Sequence, residues 1–348
     1  MGVRGGAHPR AHRAVPPRQG RPAKQAGGSG RHFGPRLDTL LTLGLDSCVV
    51  AGVPNESAPP VQNPLIPAGP KEDVALDAAG LTDVGQERDK NEDAYLIGTL
   101  HRSLVVHHAS ASAEGWFAGE PAGTLLLVAD GMGGQGGGDI ASRTAVNAVS
   151  SYLLNALTWA KPAAGRSVDQ RDSLMGVRDG LSSAVLTGDA SVKTAGAKTG
   201  TPRMGTTLTA VLVQWPLAYV AHVGDTRCYL LRGGKLLRLT NDHNMAARLG
   251  PDDDRRNDEE LQSILWNTLG ASDELPRPDL NKLELALGDT LLLCSDGLNK
   301  HVSDEQLAAV LSSGDNSRVC CAKLVQMALD GGGTDNVTAL VARTMPRR

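Results

Sequence analysis

Residues 124–134 read TLLLVADGMGG, an apolar run that enters an Asp-Gly pair without any intervening polar residue. A short apolar run bounded by turn residues is typical of a buried strand, so Asp130 is predicted to stand at a strand end. Residues 290–298 (TLLLCSDGL) repeat this arrangement and place Asp296 in the same setting. Because glycine follows both aspartates, nothing bulky should stand in front of their carboxylates. The two stretches predict a rigid sheet that presents acidic groups along one rim.

Further strand and helix signals surround this pair. Predicted strands cover residues 94–97, 206–215, 217–223, 227–231, 235–239 and 337–343, with a Gly-Gly hairpin at 233–234. Apolar residues at helical spacing predict helices over 141–156, 174–185, 307–311 and 321–328. Asp139 is predicted to cap the first helix, and Ser303 with Gln306 forms a capping box before the third. Many strands and two helical pairs predict an α+β fold, a β-sandwich covered by helices.

The composition excludes several classes of protein. The chain has 348 residues, 41% apolar and 21% charged, with a formal net charge of −3, which gives no support for nucleic-acid binding. Its five cysteines are odd in number and lack the C-x-x-C spacing, so neither a disulfide framework nor a zinc site is predicted. A reduced, cytoplasmic environment follows from this pattern. No apolar run reaches the roughly 20 residues of a membrane helix.

The N-terminal region differs from the rest of the chain. Residues 1–36 are rich in Gly, Pro, Arg and Ala without hydrophobic periodicity, and residues 54–72 add several prolines. We therefore expect residues 1–72 to form a disordered basic tail and linker, and residues 73–345 to form one domain. The alternative is that the tail tethers the protein to an acidic partner, nucleic acid or a membrane.

Four acidic elements recur in similar settings along this domain, in residues 88–93, 130–134, 295–297 and 334–336. Mg²⁺ and Mn²⁺ prefer oxygen ligands, and Mg²⁺ keeps several waters, so few carboxylates are needed for each ion. Two such ions can lower the pKa of a water between them toward neutrality. Arg88 is close in sequence to Glu92 and Asp93, and its planar fork matches phosphate. The pattern predicts a two-metal site that acts on a phosphate ester.

The chain from about residue 77 to residue 343 resembles the protein phosphatase 2C family, the PPM-type phosphatases, in its bacterial form. The stretches that support this resemblance, in the family's order, are TDVGQERDKNEDA, VADGMGG, MGTTLTAVLV, AHVGDTRCYLL, LTNDH, LLLCSDGL and GGTDNVTALV. The resemblance implies a four-layer α-β-β-α sandwich of two antiparallel sheets flanked by helical pairs. It also implies an enzyme, a protein-serine/threonine phosphatase.

The resemblance further implies roles for individual residues. Two divalent cations, Mn²⁺ or Mg²⁺, would be held by one set of residues: Glu92, Asp93, Asp130, the Gly131 carbonyl, Asp296 and Asp335. Asp130 would bridge the two ions, and a water activated between them would attack phosphorus. The residues implied in catalysis are Arg88, which binds the phosphate, Asp93, and Asn336, which orients the water or phosphate. Asp225, at the entry to a turn, is interpreted as structural.

The partners that the resemblance implies are proteins phosphorylated on Ser or Thr, including a bacterial kinase of the eukaryotic type. It also implies a monomeric, cytoplasmic enzyme that binds no nucleic acid and has no membrane span.

Two departures from the family's pattern matter. Residues 198–204 contain no acid, which puts a third metal in doubt, and the nearest upstream acid is Asp189. Residues 252–256 (DDDRR) replace a basic and hydrophobic flap. The alternative function is therefore a phosphatase-like module that binds phosphoproteins with little or no turnover.

Overall fold

The computed structural model describes residues 74–101, 103–106, 115–118, 121–133, 136–156, 170–249 and 253–347. All of these lie within the unit Pro67–Arg348. The predicted tail at 1–72 lies outside the described residues, and so does Asp252, the first residue of the acidic run. Among the helices that the structure describes, none combines the length and the apolar character of a membrane span.

Thirteen strands and six α-helices make up the described part of the chain. The strands are β1 (Val74–Asp83), β2 (Asp93–Leu100), β3 (Ser103–Val106), β4 (Gly115–Ala118), β5 (Gly123–Met132), β6 (Gly205–Thr206), β7 (Leu208–Gln214), β8 (Leu217–Val223), β9 (Arg227–Arg232), β10 (Lys235–Arg238), β11 (Asp279–Glu284), β12 (Thr290–Cys294) and β13 (Val337–Pro346). The helices are α1 (Gly138–Ala156), α2 (Gln170–Thr199), α3 (Glu259–Ser263), α4 (Asp296–Asn299), α5 (Asp304–Leu311) and α6 (Ser317–Asp330). Short 3-10 turns occupy Ala246–Arg248 and Asp254–Asn257.

The strands form two main antiparallel sheets. One has the order β1-β13-β12-β9-β10, and the other has the order β11-β8-β7-β5-β2, with β6 paired to β5. β3 and β4 pair separately as a hairpin. Consecutive strands β7, β8 and β9 connect the two sheets, because β7 and β8 lie in one sheet and β9 lies in the other.

Alternation along β5 and β12 explains the layering. In β5, Leu125 and Leu127 pack with the helices α1 and α2, whereas Leu126 faces the opposite sheet, which contains β12 and β13. In β12, Leu293 faces the sheet that contains β5 and β7, and Leu292 packs with the helices α5 and α6. Since successive strand residues point to opposite faces, each buried strand contributes to two cores. The predicted four-layer α-β-β-α sandwich is confirmed.

Most predicted elements are present, and some details differ. The capping box of Ser303 and Gln306 is formed at the start of α5. The prediction that Asp139 caps α1 is wrong, because the helix already begins at Gly138 and Asp139 lies in its first turn, paired with Arg143. α2 is longer than predicted, and four strands, β1, β3, β4 and β11, were not predicted from the sequence.

The sandwich predicts a large contrast between Leu293→Ala and Leu237→Ala. Leu293 is fully buried between the sheets, whereas Leu237 is 40% exposed at the edge strand β10. We expect Leu293→Ala to lower the free energy of unfolding by about 2–5 kcal/mol because it leaves a cavity. The exposed control should change it by about 0.5 kcal/mol or less. Urea denaturation measures both, and equal losses would contradict the assignment of Leu293 to the inter-sheet core.

Candidate active site

Asp93 and Asp130 lie directly opposite each other at the ends of β2 and β5. The backbone of Asp130 is fixed by two adjacent threonines. Its N–H donates to Thr207 Oγ1 at 2.9 Å, and its carbonyl accepts from Thr206 Oγ1 at 2.8 Å and from the Thr207 N–H at 2.9 Å. The position of this aspartate is therefore set by the pairing of three strands, β2, β5 and β6.

Gly131 must be a glycine at this point of the structure. A Cβ atom there would lie 2.1 Å from the carbonyl oxygen of Gly138, at the start of α1, and 2.7 Å from the carbonyl of Glu92. The Gly131 N–H donates to that same Glu92 carbonyl at 3.1 Å. Close backbone approach is the reason for a glycine here, and it draws β5, α1 and the residue before β2 together.

Asp93 is a buried carboxylate with one occupied and one unpaired oxygen. Its Oδ2 accepts hydrogen bonds from Ser295 Oγ and Thr338 Oγ1, both at 2.6 Å. Its Oδ1 is buried and has no hydrogen-bond partner. Burial, offset in part by the two hydroxyls and reinforced by Asp296 and Asp335, raises the pKa of Asp93 to about 7. The unpaired oxygen marks a place where a cation would be favoured.

Neighbouring carboxylates perturb one another strongly. Burial, followed by repulsion from Asp93, Asp296 and Asp225, raises the pKa of Asp130 well above its ordinary value. Burial and repulsion from Asp296 raise the pKa of Asp225 in the same way. Asp225, interpreted from the sequence as structural, thus lies within electrostatic reach of the predicted ligands. This concentration of negative charge is costly unless positive charge is supplied.

Asp296 and Asp335 are joined by a lysine. Asp296 follows β12 and opens α4, and Asp335 lies two residues before the start of β13 at Val337. Lys300 Nζ lies 2.6 Å from Asp296 Oδ2 and 3.2 Å from Asp335 Oδ2. Burial alone would lower the pKa of Lys300, but the two carboxylates outweigh it and raise the pKa above its usual value. The other oxygen of Asp296, Oδ1, is buried and has no hydrogen-bond partner.

Arg88 also binds Asp335, with both arms of its guanidinium. Its Nε lies 2.9 Å from Asp335 Oδ1, and its Nη2 lies 3.0 Å from Oδ2. Burial would raise the pKa of Asp335, but Lys300, Arg88 and the N–H of Asn336 together hold it below its ordinary value. The Arg88 side chain is 54% exposed, so it stands at the outer edge of the carboxylate rim.

Asn336 organises the loop that carries Arg88 and Glu92. Its Oδ1 accepts from the Glu92 N–H at 2.7 Å, and its Nδ2 donates to the carbonyls of Val84 and Lys90 at 2.8 and 2.9 Å. Both amide donors are therefore committed to the backbone. Glu92 in turn accepts a hydrogen bond from the backbone of Gly138, and burial raises its pKa.

The residues present fit a divalent cation by their chemistry. Within the described ranges, no three His, Cys, Asp or Glu side chains converge into a preformed metal cage. The carboxylates are instead distributed along a rim, which suits hard cations that keep several waters and take one or two carboxylates each. The buried, unpaired oxygens of Asp93 and Asp296 are the strongest indication, because a buried oxygen without a partner is unfavourable until a cation or donor reaches it.

All of the sequence-predicted site residues are drawn to this rim, and several supporting residues were missed. Ser295 and Thr338 hold Asp93, Thr206 and Thr207 hold Asp130, and Lys300 bridges two carboxylates. The position of Lys300 four residues after Asp296 was the one local signal that could have pointed to this pair.

Cys294 is fully buried, and burial raises its thiol pKa to about 12, so it remains an inert core residue.

The two regions that depart from the family's pattern have their own contacts. Asp189 is 2% exposed, accepts from the Gly270 N–H at 2.8 Å and pairs with Lys193 at 2.9 Å, so both oxygens are occupied within α2 and its surroundings. In the acidic run at 252–256, Arg255 pairs with Asp253 at 2.7 Å. His243 packs against the Trp266 ring, at 4.7 Å between ring centroids, and contacts Asn267 at 2.8 Å. The adjacent pair His107 and His108, which the sequence favours as part of a surface loop rather than a metal site, lies outside the described residues.

Comparisons with known proteins agree on one family. The protein phosphatase 2C family model matches residues 112–323. Protein phosphatase PhpP of Streptococcus pneumoniae is 30% identical over 269 residues, which cover 75% of this chain and 95% of PhpP. The serine/threonine protein phosphatase PstP of Mycobacterium tuberculosis is 33% identical over 222 residues, which cover 63% of this chain and 40% of PstP.

Solved structures give the same result. The crystal structure of Mycobacterium tuberculosis PstP/Ppp aligns with a TM-score of 0.60 at 29% identity, over 78% of this chain and 99% of that chain. The catalytic domain of PstP in complex with two manganese ions aligns with a TM-score of 0.58 at 30% identity, over 78% of this chain and 99% of that one. With the acidic rim built on the expected strand ends, and with the family model matching more than half of the sequence, the chain belongs to the protein phosphatase 2C family, the PPM-type serine/threonine protein phosphatases.

Proposed function

We propose that this phosphatase hydrolyses phosphoserine and phosphothreonine in proteins with two divalent cations, Mn²⁺ or Mg²⁺, held on the acidic rim. The observation that supports this most directly is the pair of buried, unpaired carboxylate oxygens on Asp93 and Asp296, beside Asp130 and Asp335. A solved relative contains two manganese ions. A third metal is not part of the proposal, because Asp189 is already committed to Gly270 and Lys193.

The proposed metal ligands are those that the sequence predicted: Glu92, Asp93, Asp130, the Gly131 carbonyl, Asp296 and Asp335. When bound, the two ions would supply the positive charge that activates a water for attack and that neutralises the phosphoryl oxygens. Ser295 and Thr338 would keep Asp93 oriented, since both hydroxyls hold the same oxygen. Thr206 and Thr207 would keep Asp130 in place at the end of β5.

Arg88 is the proposed phosphate-binding residue. Its guanidinium already grips a carboxylate with both arms, and the same fork fits two oxygens of a phosphate. Its exposure at the edge of the rim leaves it accessible to a phosphorylated segment of another protein. Asn336 is proposed as a positioning residue, because its amide holds the backbone of the loop from Val84 to Glu92 and has no donor left for substrate.

The alternative, a phosphoprotein-binding module with little turnover, remains a distinct proposal because of the altered flap. The complete acidic set on the rim favours turnover over binding alone.

We further propose that the enzyme acts in the cytoplasm as a monomer on phosphorylated proteins, including a bacterial kinase of the eukaryotic type. The phosphatase domain is proposed to span residues 73–345, with residues 1–72 as a tail.

We predict that turnover depends on a bound divalent cation. Phosphate release from a phosphothreonine peptide should require Mn²⁺ or Mg²⁺ and stop in EDTA. Asp296→Asn should lower kcat by at least about 100-fold, because even residues behind a metal ligand typically cost 10–100-fold. The exposed Asp304→Asn on α5 is a matched control and should keep wild-type activity. A folded wild-type protein without turnover at any metal concentration would favour the binding module.

Arg88→Lys tests the proposed phosphate fork. Lysine keeps the charge but cannot make two parallel hydrogen bonds, so we expect kcat/KM to fall by about tenfold or more, mainly through KM. The control is Arg143→Lys on α1, another exposed arginine paired with an aspartate, which should leave both constants unchanged. Unchanged kinetics in Arg88→Lys would remove Arg88 from the phosphate site.

Thermal unfolding tests the strained carboxylates. The pKa of Asp93 rises from an ordinary 3.8 to about 7 in the folded state, so the folded protein binds a proton that the unfolded chain releases. In EDTA, the stabilisation of the folded state by protonation of Asp93 is therefore fully present below about pH 4 and is lost as the pH rises through 7. We expect the unfolding temperature in EDTA to fall between pH 5.5 and about 8, and Mn²⁺ to raise it more at the higher pH.

Asp93→Asn should make this pH profile in EDTA shallower, because the amide does not titrate while Asp130 and Asp225 still do. Asp304→Asn should retain the wild-type slope. A wild-type unfolding temperature that rises steadily over the same range would contradict the assignment of buried, mutually repelling carboxylates.

A further inference from the structure

Lys300 is a cation placed between two proposed ligands of the same metal ion. It follows the short helix α4, one turn after Asp296, and its ammonium contacts one oxygen of Asp296 and one of Asp335 at 2.6 and 3.2 Å. These two carboxylates lie beside different strand ends, Asp296 after β12 and Asp335 before β13. Lys300 and Asp335 are 35 residues apart in the sequence. A single side chain thus holds together two elements of the rim.

We infer that Lys300 is an internal counter-ion that competes with the divalent cation for Asp296 and Asp335, and thereby sets the metal concentration at which the site fills. The inference rests on the proposed two-metal function and adds a tuning residue to it. Lys300 is assigned no role in the chemical step.

The geometry supports competition at one oxygen of each carboxylate. Lys300 occupies Oδ2 of Asp296, whereas Oδ1 of the same group is buried and unpaired. A cation approaching these carboxylates either displaces the ammonium or remains beside it. Both routes are unfavourable, because the first breaks two ion pairs and the second places like charges within a few ångströms. At a separation of about 5 Å, repulsion between a single charge and a dication corresponds to roughly tenfold in affinity even in a water-like dielectric.

Lys300 is also able to leave. Its side chain is 45% exposed, and the flexible four-carbon stem lets the ammonium swing into solvent. The helical spacing from Asp296 brings it back when the cation departs. Arg88, by contrast, contacts only Asp335 among the described carboxylates of the rim and does so with a rigid fork, so it does not join the two ligands.

This arrangement has a two-sided signature. Without metal, Lys300 offsets the repulsion between acidic groups, so its removal should destabilise the protein. With metal, its removal should strengthen cation binding, because the competitor is gone. A residue with a merely structural role would lower stability without tightening the metal site.

The test compares the full-length wild-type chain with Lys300→Met, Lys300→Arg and the control Lys193→Met. Lys193 makes an ion pair of the same helical spacing with Asp189 on α2, at 2.9 Å. Isothermal titration with MnCl₂ gives the dissociation constant, and thermal unfolding in EDTA gives the stability of the metal-free protein. We expect Lys300→Met to bind Mn²⁺ at least about tenfold more tightly and to unfold at a lower temperature in EDTA.

Lys300→Arg keeps the charge and should stay near the wild-type affinity, and Lys193→Met should lose stability without a change in affinity. Equal or weaker Mn²⁺ binding by Lys300→Met, with normal binding by the wild type, would overturn this inference alone. A wild-type protein that binds no Mn²⁺ would overturn the proposed function together with the inference.

Discussion

Repulsion among buried carboxylates is the constraint on which the site depends. Asp93, Asp130 and Asp225 all have raised pKa values, first because of burial and then because each lies near other acids. Such groups would move apart if they stood on mobile loops. They stay together because each is attached to an element whose position is fixed by a fully buried core. The stable packing of the sandwich therefore keeps these mutually repelling carboxylates close together at the rim.

Backbone contacts hold the acidic residues in place against this repulsion. Asp130 is fixed by the paired strands β5 and β6, and the segment before β2 is fixed by the amide of Asn336, the residue that precedes β13. β2 and β13 lie in different sheets. Asn336 and the hydroxyls of Ser295 and Thr338 therefore connect the two sheets at the rim. The site therefore lies where the two sheets meet, and neither sheet alone would supply all of its residues.

The fold was predictable where local pattern and burial agree. The apolar runs of β5 and β12 end in Asp-Gly, and both strands and both aspartates lie where the pattern predicted them. β11 (DLNKLE) was missed because it is an edge strand whose only apolar residues, Leu280 and Leu283, are three positions apart, so the two-residue period of a strand is absent. β1 was missed because its partly exposed sequence is held by register with β13, near the other end of the chain. In both cases tertiary pairing decides the structure.

The site was predictable in its acids but not in what surrounds them. Ser295 and Thr338 lie 202 and 245 residues from Asp93, and no local pattern indicates that their hydroxyls meet one oxygen of that carboxylate. Lys300 shows the boundary between the two kinds of information. Its pairing with Asp296 follows from helical spacing, whereas its contact with Asp335 exists only because β12 and β13 are neighbours in the sheet. A sequence can therefore supply the charges of such a centre, while the balance among them is set by the packing of distant strands.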